Sequence, residues 1–163
     1  MAQDSIPEGV PATAALLQAY LAAAYRVRLA DGWQPLRIGE PAPAALAQCL
    51  PARAWTLVTA WNPQSLPQAA AANAAADAAL QSALDAAGLR RLPATGGDAA
   101  GTWHEDGWLV ADLPAAQADR LAQRFGQAGV LHWRHGEPVR LRMYRPRPAG
   151  IDAPPWVDWV PAP

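Results

Sequence analysis

The most constraining feature of the sequence is a short apolar segment, 55–61, near the middle of the chain. Its residues, WTLVTAW, are nearly all apolar or β-branched, and Asn62-Pro63 ends the run. Such a segment is typical of a central strand that is covered on both faces. An alanine-rich segment, 67–87, follows with strong helix propensity, and Gly88 is its natural stop. The chain therefore has to pack a buried strand and a long helix against one core.

The segments around this pair predict the fold class. After the alanine-rich helix come a short strand at 89–93, a buried strand at 107–112, a helix at 114–125 and a strand at 130–133. The order from the central strand onward is β-α-β-β-α-β, which is the ferredoxin-like split βαβ arrangement. A helix from Pro11 and a hairpin over 25–38 precede it. The predicted class is α/β (α+β) with a ferredoxin-like core and an added N-terminal helix and hairpin.

The length of 163 residues favours one domain. We predict a flexible N-terminus at 1–10, a single globular domain at 11–145 and a proline-rich tail at 146–163. Trp156 and Trp159 lie in this tail, where two exposed aromatic rings would be unfavourable. We expect the tail to pack on the domain, and the alternative is that both tryptophans bind a protein partner.

Composition argues against several classes of function. The formal net charge is −1, so no overall field steers the chain to nucleic acid or to acidic membranes. Cys49 is the only cysteine, which excludes an internal disulfide and a cysteine-rich metal site. No secretory signal and no membrane-length apolar run is visible, so a cytoplasmic location is expected. No glycine-rich phosphate loop is present, and no cofactor is expected.

Short motifs along the chain resemble those of one protein family. They are AWNPQS at 60–65, Asn73 in the next helix, Glu105 ahead of WLV at 108–110, and FGQ at 125–127. In this combination the chain resembles a bacterial family, domain-of-unknown-function family 3293. The resemblance implies no reaction, because the family has no established one.

The chain departs from the family pattern at a few polar positions. The family usually has acidic residues just before the helix asparagine and an arginine after it, where this chain has Ala71, Ala72 and Ala76. The family also tends to have a serine where this chain has Gly107. If the family has a polar site, the lost charges would weaken it here.

The candidate binding site is the edge of the sheet where the central strand ends. Asn62 and Ser65 follow that strand, Asn73 lies two turns into the next helix, and Gln127 precedes the neighbouring fourth strand. Amides and hydroxyls near a helix N-terminus can bind a small polar or anionic ligand. The alternative is that these residues only end a strand, cap a helix and close a loop.

His104-Glu105-Asp106 is the densest titratable cluster, and Glu105 is the candidate catalytic residue because a glutamate beside a histidine suits acid–base chemistry. However, successive residues of an extended segment point to opposite faces. In the predicted topology the cluster also begins the third strand at the sheet edge opposite Asn62. We therefore expect a solvated turn, whereas Glu105 beside Asn62 would favour an enzyme.

Metal and nucleic-acid sites are not predicted. His132 and His135 would point to opposite faces of a strand, and no third ligand is evident. Arg140 and Arg142 form a basic stripe, but the paired aromatics that RNA-binding modules use for base stacking are missing. Charges on an edge strand also prevent aggregation, which is their ordinary explanation.

The sequence therefore predicts a small-molecule-binding or accessory module whose site comprises Asn62, Ser65, Asn73 and Gln127. The first alternative is a hydrolase or transferase in which Glu105 acts with these side chains, and it requires Glu105 to reach the same pocket. The second alternative is a protein-interaction module that uses the tryptophan-containing tail.

Overall fold

The computed structural model describes Gly9 and residues 11–161, so the predicted flexible segment 1–10 lies, apart from Gly9, outside the described residues. The elements in chain order are α1 (Thr13–Ala22), β1 (Tyr25–Leu29), β2 (Gly32–Leu36), α2 (Leu46–Cys49), β3 (Ala54–Val58), a 3₁₀ turn (Pro63–Ser65), α3 (Ala70–Ala86), β4 (Arg91–Gly97), β5 (His104–Ala111), α4 (Ala115–Arg124), β6 (Gly129–Arg134), β7 (Leu141–Met143) and β8 (Val157–Trp159).

The strands form one sheet in the order β2-β1-β4-β5-β3-β6-β7-β8. Neighbouring strands are antiparallel except for β7 and β8, which are parallel. In the centre, Trp55 of β3 pairs with Ala111 of β5 and with Trp133 of β6. The C-terminal end of β3 therefore lies beside the first residues of both β5 and β6. The mixed α+β class predicted from the sequence is confirmed.

Apolar side chains cover both faces of β3. Trp55 and Leu57 belong to a core that also contains Leu16 and Leu17 of α1. Val58 belongs to a second core, which is completed by buried side chains of α3 and α4. Burial on both faces is the reason that this segment reads as a continuous apolar run, since no position of it faces water. Each large apolar side chain buried in this way contributes roughly 1.5–3 kcal/mol.

The sheet curls around α1. Ile38, which follows β2, forms an isolated parallel bridge with Val139 just before β7. The Gly39 N–H donates to the Val139 carbonyl (2.8 Å), and the Val139 N–H donates to the Glu40 carbonyl (2.9 Å). These bonds connect the segment after β2 with the segment before β7, so the sheet curves and has a concave face on the side of α1.

The proline-rich tail returns to the sheet and supplies β8. Arg140 donates to both carboxylate oxygens of Asp158, at 2.9 and 2.8 Å. Trp159 packs against the core on the concave face, and the Trp156 ring lies against Gly39. The tail within the described residues is therefore bound by backbone pairing, an ion pair and aromatic packing. The predicted domain boundaries themselves remain predictions.

Gly107 marks a close approach between β3 and β5. A Cβ atom at this position would lie 2.6 Å from the carbonyl oxygen of Val58, closer than real Cβ contacts. Glycine in a strand often marks such a contact with a neighbouring backbone. Because the strands would have to separate, we expect Gly107→Ala to lower the free energy of unfolding by about 1–3 kcal/mol.

Equilibrium unfolding in urea measures this difference, with Ala100→Ser at an exposed position as the control. Equal stability of the Gly107→Ala variant and the unchanged protein would contradict the close approach.

Candidate functional site

The chain leaves β3 through a turn with an uncommon backbone conformation. Asn62, Gln64 and Ser65 have φ angles of 48°, 60° and 58°, which lie in the left-handed region. Asparagine adopts the left-handed conformation more readily than most residues. For other non-glycine residues this conformation costs roughly 1–3 kcal/mol each. Contacts from the rest of the fold must therefore hold this turn in place.

A reciprocal pair of asparagines provides those contacts. The backbone N–H of Asn62 donates to Asn73 Oδ1 (2.9 Å), and Asn73 Nδ2 donates to Asn62 Oδ1 (3.0 Å). The backbone N–H of Gln68 also donates to Asn62 Oδ1 (3.0 Å). Both asparagines are buried, with 7% and 4% of their surface exposed. Because Asn73 lies on α3, the pair fixes the turn to that helix.

The remaining amide hydrogens of Asn62 are directed at Glu105. Asn62 Nδ2 donates to Glu105 Oε1 at 3.2 Å, and Trp103 Nε1 donates to the same oxygen at 3.1 Å. The expectation that Glu105 lies at the sheet edge opposite Asn62 is therefore wrong. Since β3 and β5 are antiparallel, the start of β5 lies beside the end of β3.

The expectation of a solvated turn at 104–106 is also wrong, because β5 already begins at His104. The alternation of a strand turns His104 and Asp106 to solvent, where their side chains contact each other at 2.8 Å. It turns Glu105 in the opposite direction, into the concave side of the sheet. The three side chains of the cluster therefore do not converge.

Burial raises the pKa of Glu105 from its usual 4.5 to about 7, even though the hydrogen bonds from Asn62 and Trp103 favour its charged form. At neutral pH this side chain exists in both protonation states. A group with this property can give up or accept a proton without a large free-energy cost.

Glu105 faces a cavity of about 580 Å³ between α1 and the sheet, which we call the α1 cavity. Most of its wall is apolar or glycine, including Ala15, Leu16, Ala19, Ala23, Leu57, Gly96, Gly129 and Leu131. The polar groups in the wall come from Tyr20, Thr59, Ser65, Asp98 and Glu105, beside the Tyr25 and Trp103 rings. A mainly apolar cavity of this size with few polar groups is typical of a small-molecule site.

The structure divides the sequence-predicted site residues into two groups. Ser65 and Glu105 line the α1 cavity, whereas Asn62, Asn73 and Gln127 do not. Gln127 Nε2 donates to the carbonyl oxygens of Trp61 (2.9 Å) and Phe125 (3.2 Å), so it connects the start of β6 to the turn after β3. The three amides lie behind the cavity and hold the parts of its wall.

Two tyrosines in the wall were missed as site residues. Tyr25 donates its hydroxyl proton to the Tyr20 carbonyl at 3.2 Å. Burial raises the pKa of both phenols, and the nearby charge of Glu105 adds to the effect. Their spacing in the sequence fits the core faces of a helix and a strand, so periodicity alone does not distinguish them from ordinary core residues.

Within the part of the chain that the structure describes, no three His, Cys, Asp or Glu side chains are grouped so that they could hold a metal ion. None of the described helices combines the length and the apolar character that crossing a membrane requires.

Comparison with known proteins gives one family match, which covers part of this site. Residues 58–130 match the model of the family described as Protein of unknown function (DUF3293). The match confirms the resemblance inferred from the motifs, and its range contains the turn after β3, Asn73, Glu105 and Gln127. No curated protein and no solved structure matches the chain significantly.

The asparagine pair can be tested by Asn73→Ala. This change leaves the buried N–H of Asn62 without its partner, so we expect the free energy of unfolding to fall by about 1–3 kcal/mol. Urea unfolding measures the loss. Gln81→Ala on the same helix is the control, because it removes a hydrogen bond with Asp77 in a less buried setting (2.8 Å). A loss no larger than that of the control would argue against the pair as the support of the turn.

The raised pKa of Glu105 predicts a pH-dependent stability. Because the folded protein binds the Glu105 proton more tightly than the unfolded chain, this contribution is fully present below about pH 4.5 and is lost as the pH rises to about 7. Its upper bound is about 3 kcal/mol, and partial exposure of the side chain to solvent reduces it.

Denaturation between pH 4 and 8 measures the effect. Glu105→Gln, which cannot ionise, should lack this downward component, whereas exposed Glu137→Gln should keep it. Identical pH profiles for the unchanged protein and Glu105→Gln would show that the pKa of Glu105 is not raised.

Proposed function

We propose that this chain, with its DUF3293 region at 58–130, is a small-molecule-binding module whose ligand occupies the α1 cavity. One observation carries the proposal: Glu105 faces the cavity while Asn62 and Trp103 hold one of its oxygen atoms in place. An anchored polar group in an otherwise apolar wall can orient a ligand whose affinity comes mainly from apolar contact.

The shape of the wall favours a ligand with an apolar body. Ala15, Ala19 and Ala22 of α1 line the cavity, as do Gly96 and Gly97 of β4. The short alanine side chains leave room that larger ones would fill, whereas a side chain at Gly96 or Gly97 would meet the Tyr25 ring or the Trp103 backbone. The polar end of the ligand would lie near Glu105, where Ser65 and Thr59 offer hydroxyl groups.

This proposal revises the site predicted from the sequence. The hydrogen-bonding groups of Asn62, Asn73 and Gln127 are engaged with one another and with the backbone, so these amides support the site from behind. Ser65 and Glu105 are the members that a ligand in the cavity would meet. A small polar or anionic ligand bound directly by the amides has less support.

An enzyme is the second candidate, and the contact between Asn62 and Glu105 favours it. Glu105, with a pKa of about 7, could act as a general acid or base in a hydrolase or transferase. Ser65 shares the cavity, but no described residue of the wall is a histidine that could activate it. A reaction lost in Glu105→Gln with ligand binding retained would favour this candidate.

The ferredoxin-like arrangement is proposed for the central part of the sheet. Its support is that β6, β3, β5 and β4 are neighbours in this order and are antiparallel throughout. The helices that connect them, α3 and α4, contribute to one core on one face. Under this proposal β1, β2, β7 and β8 are additions at the two sides.

The remaining proposals concern partners and location. A protein-interaction role for the tail has less support than ligand binding, because Trp156 lies against Gly39 and Trp159 packs against this chain's own core. A cytoplasmic location in a bacterium remains a prediction from the sequence.

The cavity proposal is tested by a thermal-shift screen of the purified protein against a small-molecule library. A ligand at about 100 times its dissociation constant should add about 2.7 kcal/mol to the free energy of unfolding. Ala19→Trp, which places a large ring in the cavity wall, should abolish the shift. The matched control is Ala75→Trp on an exposed face of α3, where the shift should remain. A hit that stabilises the Ala19→Trp variant as strongly as the control would place the ligand elsewhere and overturn the proposal.

A further inference from the structure

The charges in the wall of the α1 cavity all have one sign. Glu105 and Asp98 are its two carboxylates, and no described residue of the wall is an arginine or a histidine. The chain contains no lysine. Arg145 lies outside the wall but close enough for its charge to lower the pKa of Tyr20. The wall itself favours cations over anions whenever its carboxylates are ionised.

The two carboxylates lie at the same end of the cavity. Gly96 of β4 pairs with Glu105 of β5, and Asp98 follows β4 directly. The carboxylate of Asp98 accepts hydrogen bonds from the backbone N–H groups of Thr102 (2.7 Å) and Trp103 (3.1 Å). Together with the Thr102 hydroxyl, these bonds lower the pKa of Asp98, so it stays ionised near neutral pH.

Glu105 forms no salt bridge with a described residue, although the charge of the adjacent His104 lowers its pKa. Its neighbour His104 points away and contacts Asp106 instead, and none of the salt bridges among the described residues includes Glu105. Both of its donors, Asn62 and Trp103, bind Oε1. Glu105 is only partly exposed to solvent, and a counter-ion would stabilise its charge there. Glu105 Oε2 is therefore the atom at which a ligand could supply that charge.

Aromatic rings complete this end of the cavity. Tyr20, Tyr25 and Trp103 all line the cavity, and Trp103 donates its indole N–H to Glu105. The faces of such rings attract ammonium groups by about 0.5–2 kcal/mol, more when the site is shielded from water. Carboxylates and aromatic rings together are the groups that favour an organic cation over a neutral molecule of the same size.

We propose that the ligand of the α1 cavity is an organic amine, bound with its ammonium group at Glu105 Oε2 and its apolar body along α1. This inference rests on the proposed function, since it assigns a chemical class to the ligand of the same cavity. It also assigns the ligand a role in the fold, because an ammonium group would provide the counter-ion that Glu105 lacks.

The test uses three probes with one apolar body and different polar ends: 4-phenylbutylamine, 4-phenylbutanol and 4-phenylbutyrate. Calorimetric titration at pH 8 should show that the amine binds about 10- to 100-fold more tightly than the alcohol, as expected for a hydrogen bond to a charged group. The carboxylate should bind most weakly, because it meets two like charges.

Glu105→Gln keeps the shape of the side chain and removes its charge. In this variant the preference for the amine over the alcohol should disappear, because the two probes then meet a neutral amide. Glu137→Gln, a charge change at an exposed position outside the wall, should leave both affinities unchanged.

The possible failures are distinguishable. If the alcohol or the carboxylate binds as tightly as the amine, and Ala19→Trp blocks that binding, the cation assignment is overturned while the cavity remains a ligand site. Equal loss of amine affinity in Glu105→Gln and Glu137→Gln would also overturn it. If none of the three probes binds at millimolar concentration, the cavity proposal fails together with the cation assignment.

Discussion

The reciprocal hydrogen bonds between Asn62 and Asn73 are the contact on which the rest of the site depends. They hold a turn in which three residues adopt the left-handed conformation, and they join this turn to α3. They also fix the side chain of Asn62 so that its amide reaches Glu105. Because both asparagines are buried, loss of either partner would leave polar groups without solvent or hydrogen bonds. One local pair thus couples a strained backbone, a helix and a carboxylate on another strand.

The secondary structure was predictable where periodicity is strong. The apolar run at 55–61 contains most of β3, which ends three residues earlier, and the alanine-rich segment became α3 within three residues of its expected start. The ends of strands were less predictable, because β5 begins three residues earlier than its apolar run. The polar residues at the start of β5 adopt the strand conformation because they pair with β4. Local composition does not show this pairing. The curl of the sheet likewise depends on a contact between Ile38 and Val139, which are distant in sequence.

The candidate site was predictable in its turn residues and not in its carboxylate. Asn62 and Ser65 are recognisable because their residue types favour turns and caps, and Asn73 follows at a helical distance. Glu105 was assigned to the opposite sheet edge. Because β5 and β6 are both antiparallel to β3, both begin near the end of β3, and this was taken into account for Gln127 but not for Glu105. Tyr20 and Tyr25 fit ordinary core patterns, so their place in the cavity wall depends on packing between α1 and the sheet. The relative direction of adjacent strands, more than residue type, determined which site predictions were correct.

The alanines of α1 that border the cavity are separate in sequence from the residues that hold Glu105 in place. Ala15, Ala19 and Ala22 border the cavity, while the hydrogen bonds that hold Glu105 come from the turn after β3 and from Trp103 just before β5. Substitutions along this helix can therefore reshape the space without touching the asparagine pair. Under the proposed function, the residues that set the size of the cavity and those that hold the acid would belong to different segments of the chain.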